Sequence, residues 1–135
     1  MPAHNTLALL GEAIQTTDAT VTVLMYFRTS PGKVYQVSAN IVAIKTDFTA
    51  AAGYMRAATF KTDALGAITQ AGSTTAIATH EDNAAYDCEI VAGTTVLADG
   101  TIPTINIRVT GAAATTINWR VDAKINEVGT GGQYS

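Results

Sequence analysis

The chain is poor in charge, in histidine and in cysteine: Asp, Glu, Lys and Arg make up 14% of its 135 residues, with two histidines and the single cysteine Cys88. Each scarcity removes a class of protein. One cysteine forbids an internal disulfide. A chain of this length can bury roughly two-thirds of its unfolded surface, so one domain can stand without a bridge or a structural metal. The eight Lys and Arg residues are scattered and the net charge is −3, which excludes the clustered positive surface that a phosphate backbone demands. No nucleic-acid partner is expected. No apolar run approaches the ~20 residues of a membrane-spanning helix, and no basic segment followed by an apolar one opens the chain as a leader would. A soluble, unprocessed gene product without a membrane partner is the expectation.

What is abundant is alanine, threonine and glycine. Charge falls well below the ~25% of ordinary domains. Two readings fit: a surface that packs closely on other subunits, or a β-rich domain with threonine-coated strands.

Period-two alternation dominates. In Thr116–Val128, Ile117, Trp119, Val121, Ala123 and Ile125 share one face, while Asn118, Arg120, Asp122, Lys124 and Asn126 share the other. That pattern predicts a strand with one buried and one wet side. Thr104–Gly111 repeats it with Ile105, Ile107 and Val109 inward. The intervening Gly-Ala-Ala-Ala reads as a turn, predicting an antiparallel hairpin of these two segments. Upstream, Ala19–Arg28, Val34–Thr46 and Gly53–Lys61 are strands, the first two separated by the turn chemistry of Pro31 and Gly32. Four shorter candidates lie between Ala67 and Gly100, punctuated by glycine and aspartate. Eight to ten strands at this spacing predict a jelly-roll-like antiparallel β-sandwich over residues 16–128. Residues 1–15 are expected to be an arm, because Leu7, Leu10 and Ile14 fit helical spacing while Leu7 and Leu9 also alternate. Residues 129–135, rich in glycine, read as a flexible tail.

The densest chemistry is His80-Glu81-Asp82-Asn83-Ala84-Ala85-Tyr86-Asp87-Cys88. On an extended Tyr86–Val91, Asp87 and Cys88 point to opposite faces and cannot chelate one ion. Neither a zinc nor a calcium spacing is met, so no metal is expected. Cys88, inward and without nearby cations, reads as an inert thiol rather than a nucleophile based by His80. No G-x-S-x-G, phosphate loop or H-E-x-x-H occurs; the chain is expected not to be an enzyme and to need no cofactor. Tyr26, Tyr35 and Tyr54 could form a sugar platform, though strand tyrosines more often fill a wet edge. Arg56 is the odd residue, since Tyr54, Ala58 and Phe60 share its face. An inward cation must snorkel to a rim or meet a carboxylate, and a subunit contact is one way to satisfy it.

Gly53–Lys61, Ile68–Ile90 and Val109–Val128 together resemble a β-domain that recurs in structural proteins of tailed bacteriophages, at fibre ends and in small head-decoration or cement proteins. The resemblance rests on the Gly-Tyr start and Phe-Lys end of Gly53–Lys61, the Gly-Ser-Thr-Thr and His-Glu-Asp-Asn-Ala-Ala-Tyr-Asp block, and the Val-Thr-Gly to Thr-Thr-Ile-Asn-Trp segment. It spans more than half the chain. Residues 1–50 match no such motif, and Arg56 departs from the apolar residue expected there. The resemblance implies a jelly-roll-like sandwich, commonly a homotrimer, that binds rather than catalyses, with the acidic block as a turn feeding a strand.

Two functions follow. A trimeric cement protein on the outer surface of the capsid, made in the host cytoplasm, would bind and stabilise the major capsid protein shell. A chain that starts at Met1 and is nearly all domain fits this role, and Leu7, Leu9, Leu10 and Ile14 of the arm, with Arg56, are its candidate interface residues. Deleting Met1–Gln15 would then abolish capsid binding and leave a folded trimer. The alternative is a tail- or head-fibre module that binds a host receptor or glycan.

Overall fold

The computed structural model describes residues 6–129, with side chains from residue 10 onward. Eight strands run along the chain: β1 Thr6–Thr16, β2 Thr22–Arg28, β3 Lys33–Lys45, β4 Ala51–Thr62, β5 Ile68–Glu81, β6 Asp87–Leu97, β7 Gly100–Thr110 and β8 Ile117–Gly129. No helix forms among the described residues. The strands make two antiparallel sheets, one of five strands in the order β1-β8-β3-β4-β5 and one of three in the order β2-β7-β6. The protein is an all-β sandwich, as its alternation predicts.

The ends of the chain give it the jelly-roll character. β1 pairs with β8 in the large sheet, and β2 pairs with β7 in the small one. The chain thus behaves as a long folded ribbon, β1–β2 against β7–β8, wrapped over both layers. β3, β4 and β5 complete the large sheet as a meander, and β6 completes the small one.

Inward residues of both sheets make one core. β8 contributes Ile117, Trp119, Val121, Ala123 and Ile125, β3 contributes Tyr35, Val37, Ala39, Ile41 and Ala43, and the small sheet closes over them with Ile90, Ile105, Ile107 and Val109. Burying each such branched or aromatic side chain favours folding by about 1.5–3 kcal/mol. On β2 the register shifts between Val23 and Met25. This bulge allows the adjacent Leu24 and Met25 both to be buried, which strict alternation would forbid. Trp119 is the largest of the fully buried side chains. Its Nε1 donates to Thr16 Oγ1 at 2.9 Å, and Tyr86 meets its ring edge-on at 6.1 Å between centroids. Gly111 must be glycine here, because a Cβ would lie 2.8 Å from Thr16 Oγ1 and 2.9 Å from Asp18 O.

Three expectations change. The segments 104–111 and 116–128 are not a hairpin: β7 lies between β2 and β6, while β8 lies between β1 and β3. Residues 111–116 carry the chain from one layer to the other, and alternation alone does not distinguish a neighbour beside a strand from one across the core. The short candidates between Ala67 and Gly100 fuse into two long strands, because β5 absorbs its irregularities as register shifts opposite Met55–Thr59, with Gly72 at a positive φ of 75°. Finally, residues 6–15 of the expected arm belong to β1. There Ile14 pairs with Trp119 and Thr16 with Ile117, Ile14 packs against the core, and deletion of residues 1–15 would strip a strand from the sheet. The rest of the arm, residues 1–5, and residues 130–135 of the expected tail lie outside the described residues.

Replacing Thr16 by valine keeps the shape but leaves the Trp119 indole N–H buried without an acceptor. Urea denaturation should show a loss of about 1–3 kcal/mol, with tryptophan fluorescence reporting a native ring environment before the transition.

Candidate functional site

The acidic block lies where β5 turns into β6, and its polar groups are spent on making that turn. Glu81 Oε2 accepts the Tyr54 hydroxyl at 2.6 Å. Asp82 is bound to the start of β4 twice, its Oδ2 accepting Ala51 N at 2.9 Å and its own N–H donating to Ala51 O at 3.0 Å. Asn83 Oδ1 accepts Ala85 N at 2.9 Å, and Asp87 Oδ1 accepts Cys88 N at 2.8 Å. Such side-chain to backbone bonds are the ordinary chemistry of Asx turns. His80 is exposed and sits across from Gly53 on β4. Among the described residues, no group of three or more His, Cys, Asp or Glu side chains is placed to hold a metal ion.

Cys88 and Asp87 part to opposite faces: the thiol is buried and the carboxylate exposed. Burial pushes the Cys88 thiol up to about 12, against the opposing pull of the Arg56 charge. Burial likewise raises the Tyr54 hydroxyl above its ordinary range, reinforced by the hydrogen bond to Glu81.

Arg56, expected inward, is only 7% exposed. Its Nη1 donates to Ala78 O at 2.7 Å and to Met55 O at 3.2 Å, and its guanidinium stands over the Tyr54 ring, 5.0 Å from the centroid. Carbonyls and an aromatic face satisfy this cation in place of a carboxylate, and its contacts lie inside the subunit. A partner contact through Arg56 therefore finds a guanidinium already engaged.

The other candidate interface residues sit on β1. Leu7 and Leu9 stand opposite Asn126 and Lys124 in the register, and their side chains lie outside the described residues. Leu10 pairs with the inward Ala123 yet is 42% exposed. It borders a groove of about 310 Å³ with Tyr26, Phe27, Arg28, Tyr35 and Ile125. Ile14 is half-buried against the core. Of the three tyrosines considered for a sugar platform, Tyr26 and Tyr35 share this groove, whereas Tyr54 is buried elsewhere against Glu81 and Arg56.

The outward residues of the large sheet form a further surface. There β3 presents Gln36, Ser38, Asn40, Val42 and Ile44, and β4 presents Ala51, Gly53, Met55, Ala57 and Thr59, none of them charged. Val42 is 58% exposed, and Ile44 and Met55 are also exposed. A groove of about 280 Å³ runs beside Val42 and Ile44 towards Ala13 and Asn118. Charge bounds this stretch, with Lys61 opposite Val34 at the end of β4 and Arg120, Asp122 and Lys124 one strand away on β8. The wet side of a sheet in an isolated domain is normally polar, and Val42, Ile44 and Met55 make this face partly apolar and a candidate contact surface. Residues 34–44 are free of charge in the sequence, but which outward residues share a face depends on the β3–β4 register.

No protein-family model matches the chain, and no curated protein is similar to it. Among solved structures, the chain is similar to the crystal structure of the Acinetobacter baumannii phage AM24 tailspike protein, with a TM-score of 0.41 and 8% sequence identity over 95% of this chain and 27% of that one. The chain thus spans about 27% of the tailspike's length.

The thiol gives a direct test. A thiol reagent at pH 8 should leave Cys88 unmodified in the native protein and label it once urea unfolds the chain. The unfolded thiol releases its proton near 9 and the folded one near 12, so its contribution to stability is complete below about pH 9 and is lost as pH rises towards about 12. Cys88→Val should lack that part of the alkaline loss.

Proposed function

We propose that the protein is a virion structural protein of a tailed bacteriophage: a homotrimeric decoration, or cement, protein on the outer surface of the capsid that binds the major capsid protein and stabilises its shell. Its task in this reading is binding, with no catalysis, cofactor, nucleic acid or membrane. The observation that carries it is the uncharged run of outward residues on β3 and β4, from Gln36 to Ile44 and from Ala51 to Thr59, which suits contact with sister copies. The resemblance of Gly53–Val128 to phage β-domains supplies the viral context. A trimer that touches the shell at three places gains by effective concentration even when each contact is weak. Because it binds the assembled shell in preference to its parts, it opposes disassembly by mass action.

The arm no longer serves as a detachable anchor in this scheme, since residues 6–16 are β1. Contact with the shell has to come from surfaces that the folded sandwich already presents.

A second reading, a tail- or head-fibre module that binds a host receptor or glycan, draws on the groove of Leu10, Tyr26, Phe27 and Tyr35, with Arg28 and Glu127 on its lining. Aromatic walls with a few polar groups are a common way to hold a sugar ring.

Sedimentation decides between these readings. The cement reading expects a trimer in solution that co-sediments with heads, while Val42→Asp yields a folded monomer, because a carboxylate on the central strand would be desolvated at the contact. A wild-type monomer, or a protein found with tails and bound to host cells, would favour the fibre module.

A further inference from the structure

The loop end of the sandwich opposite the point where β1 begins and β8 ends carries an unusual residue. Four connections meet there, residues 17–21, 46–50, 82–86 and 111–116, as the pairs Thr16↔Ile117, Ile117↔Lys45, Ile44↔Ala51 and Ala52↔Glu81 require. At the tip of the β3–β4 connection, Phe48 is 81% exposed and holds a φ of 63°. The local geometry is a tight turn followed by a left-handed residue: Phe48 N donates to Lys45 O at 2.8 Å, and Lys45 N to Ala50 O at 2.9 Å. Glycine or asparagine ordinarily fills that position, because a Cβ is crowded there. A bulky side chain with positive φ is an outlier, and such strain persists where the surroundings fix it and a function uses it.

The surroundings do fix it. Asp47 Oδ1 accepts Thr49 N at 3.0 Å and Thr49 Oγ1 at 2.5 Å, and Asp47 Oδ2 pairs with Lys45 Nζ at 3.1 Å. Thr46 N donates to Thr116 O at 3.1 Å, bracing this loop on the β7–β8 connection. That connection holds Ala114, the other non-glycine residue with positive φ among those described. Phe48 thus combines two unfavourable choices, a strained backbone held by the turn's own hydrogen bonds and a phenyl ring left in water. Leu65, at the opposite end, is even more exposed at 94% but has no positive φ, as scattered surface leucines do.

The charge around Phe48 is mostly negative. Asp18, Asp47, Glu81, Asp82 and Asp87 lie in or beside the four connections, with Lys45, already paired to Asp47, as the Lys or Arg at the ends of the strands that meet there. Such a rim repels phosphate-rich polymers and anionic lipid and attracts a basic surface.

We infer that Phe48 is a pre-organised anchor by which this acidic loop end docks into an apolar pocket with a basic rim on a partner protein. A rigid aromatic that enters a pocket is the usual energetic centre of an interface, and fixing it beforehand lowers the ordering cost of binding. Resting on the cement reading, the inference makes that partner the capsid shell, and it assigns the shell contact to the loop end and the sister contact to the β3–β4 face.

The test uses heads assembled from the major capsid protein of the same virus and lacking this chain. Phe48→Gly should remain trimeric and unfold at the same temperature as the wild type or higher, since glycine relieves the strain, while its affinity for heads falls about 30-fold or more. Leu65→Gly should leave that affinity within about twofold, and added salt should weaken wild-type binding. Unchanged binding by Phe48→Gly, or an equal loss in Leu65→Gly, overturns the anchor and leaves the cement reading standing. A wild-type trimer that ignores heads overturns both, and Phe48-dependent binding to a host polysaccharide would replace the basic pocket with a glycan.

Discussion

A three-stranded sheet cannot cover a five-stranded one, and much of this molecule follows from that mismatch. Where the small sheet lies over β3, β8 and β4, the large sheet buries alternate residues almost completely. Towards the edges the same alternation continues under thinner cover, although Thr74 of β5 still donates to Ile90 O of β6. β5 therefore has no fully buried residue along its length, and Leu10 on β1 faces inward yet meets solvent. Arg56 belongs to the same pattern. It stands on β4, next to the thinly covered edge strand, where its head can reach the carbonyl of Ala78 on β5. An arginine in the middle of the core would have no backbone oxygen free to meet it, because those oxygens are committed to the ladders on both sides.

The two layers also divide labour. The small sheet is held by specific polar pairs on its outer side: Arg108 with Glu89 across β6 and β7, and Thr104 bridging Thr95 and Asn106. The large sheet instead leaves its outer side uncharged over most of β3 and β4, up to Lys61. Different surfaces thus suit different neighbours, and the folded unit needs no mobile segment to present them.

How far the sequence could be read depended on whether a feature is local. The inward residues of β3 and β8 were legible, because period-two alternation is written into consecutive positions. So was the separation of Asp87 from Cys88. The turn role of the acidic block was legible through the resemblance, and its hydrogen bonds give the physical reason. What could not be read were relations between distant segments. The partner of Thr104–Gly111 was assigned to its neighbour in sequence, but two strands on opposite layers carry the same pattern as two strands side by side. The first residues were ambiguous between helix and strand, since Leu7, Leu10 and Ile14 suit one period and Leu7 and Leu9 the other; pairing with β8 decided it. Phe48 gave no signal, because exposure and a left-handed backbone emerge only when the turn between β3 and β4 closes.

The place of β8 has a consequence for how the protein is made. It lies between β1 and β3, with Thr6 opposite Glu127 and Lys33 opposite Gly129. During synthesis β1 must wait for β8 to emerge before it gains its neighbour, and β3, which can already pair with β4, must wait for its second edge to be covered. Pairings this distant in sequence close slowly. Until β8 has left the ribosome, the nascent chain presents unpaired edges to the crowded cell. A premature stop anywhere before β8 would therefore leave an aggregating fragment in place of a smaller sandwich.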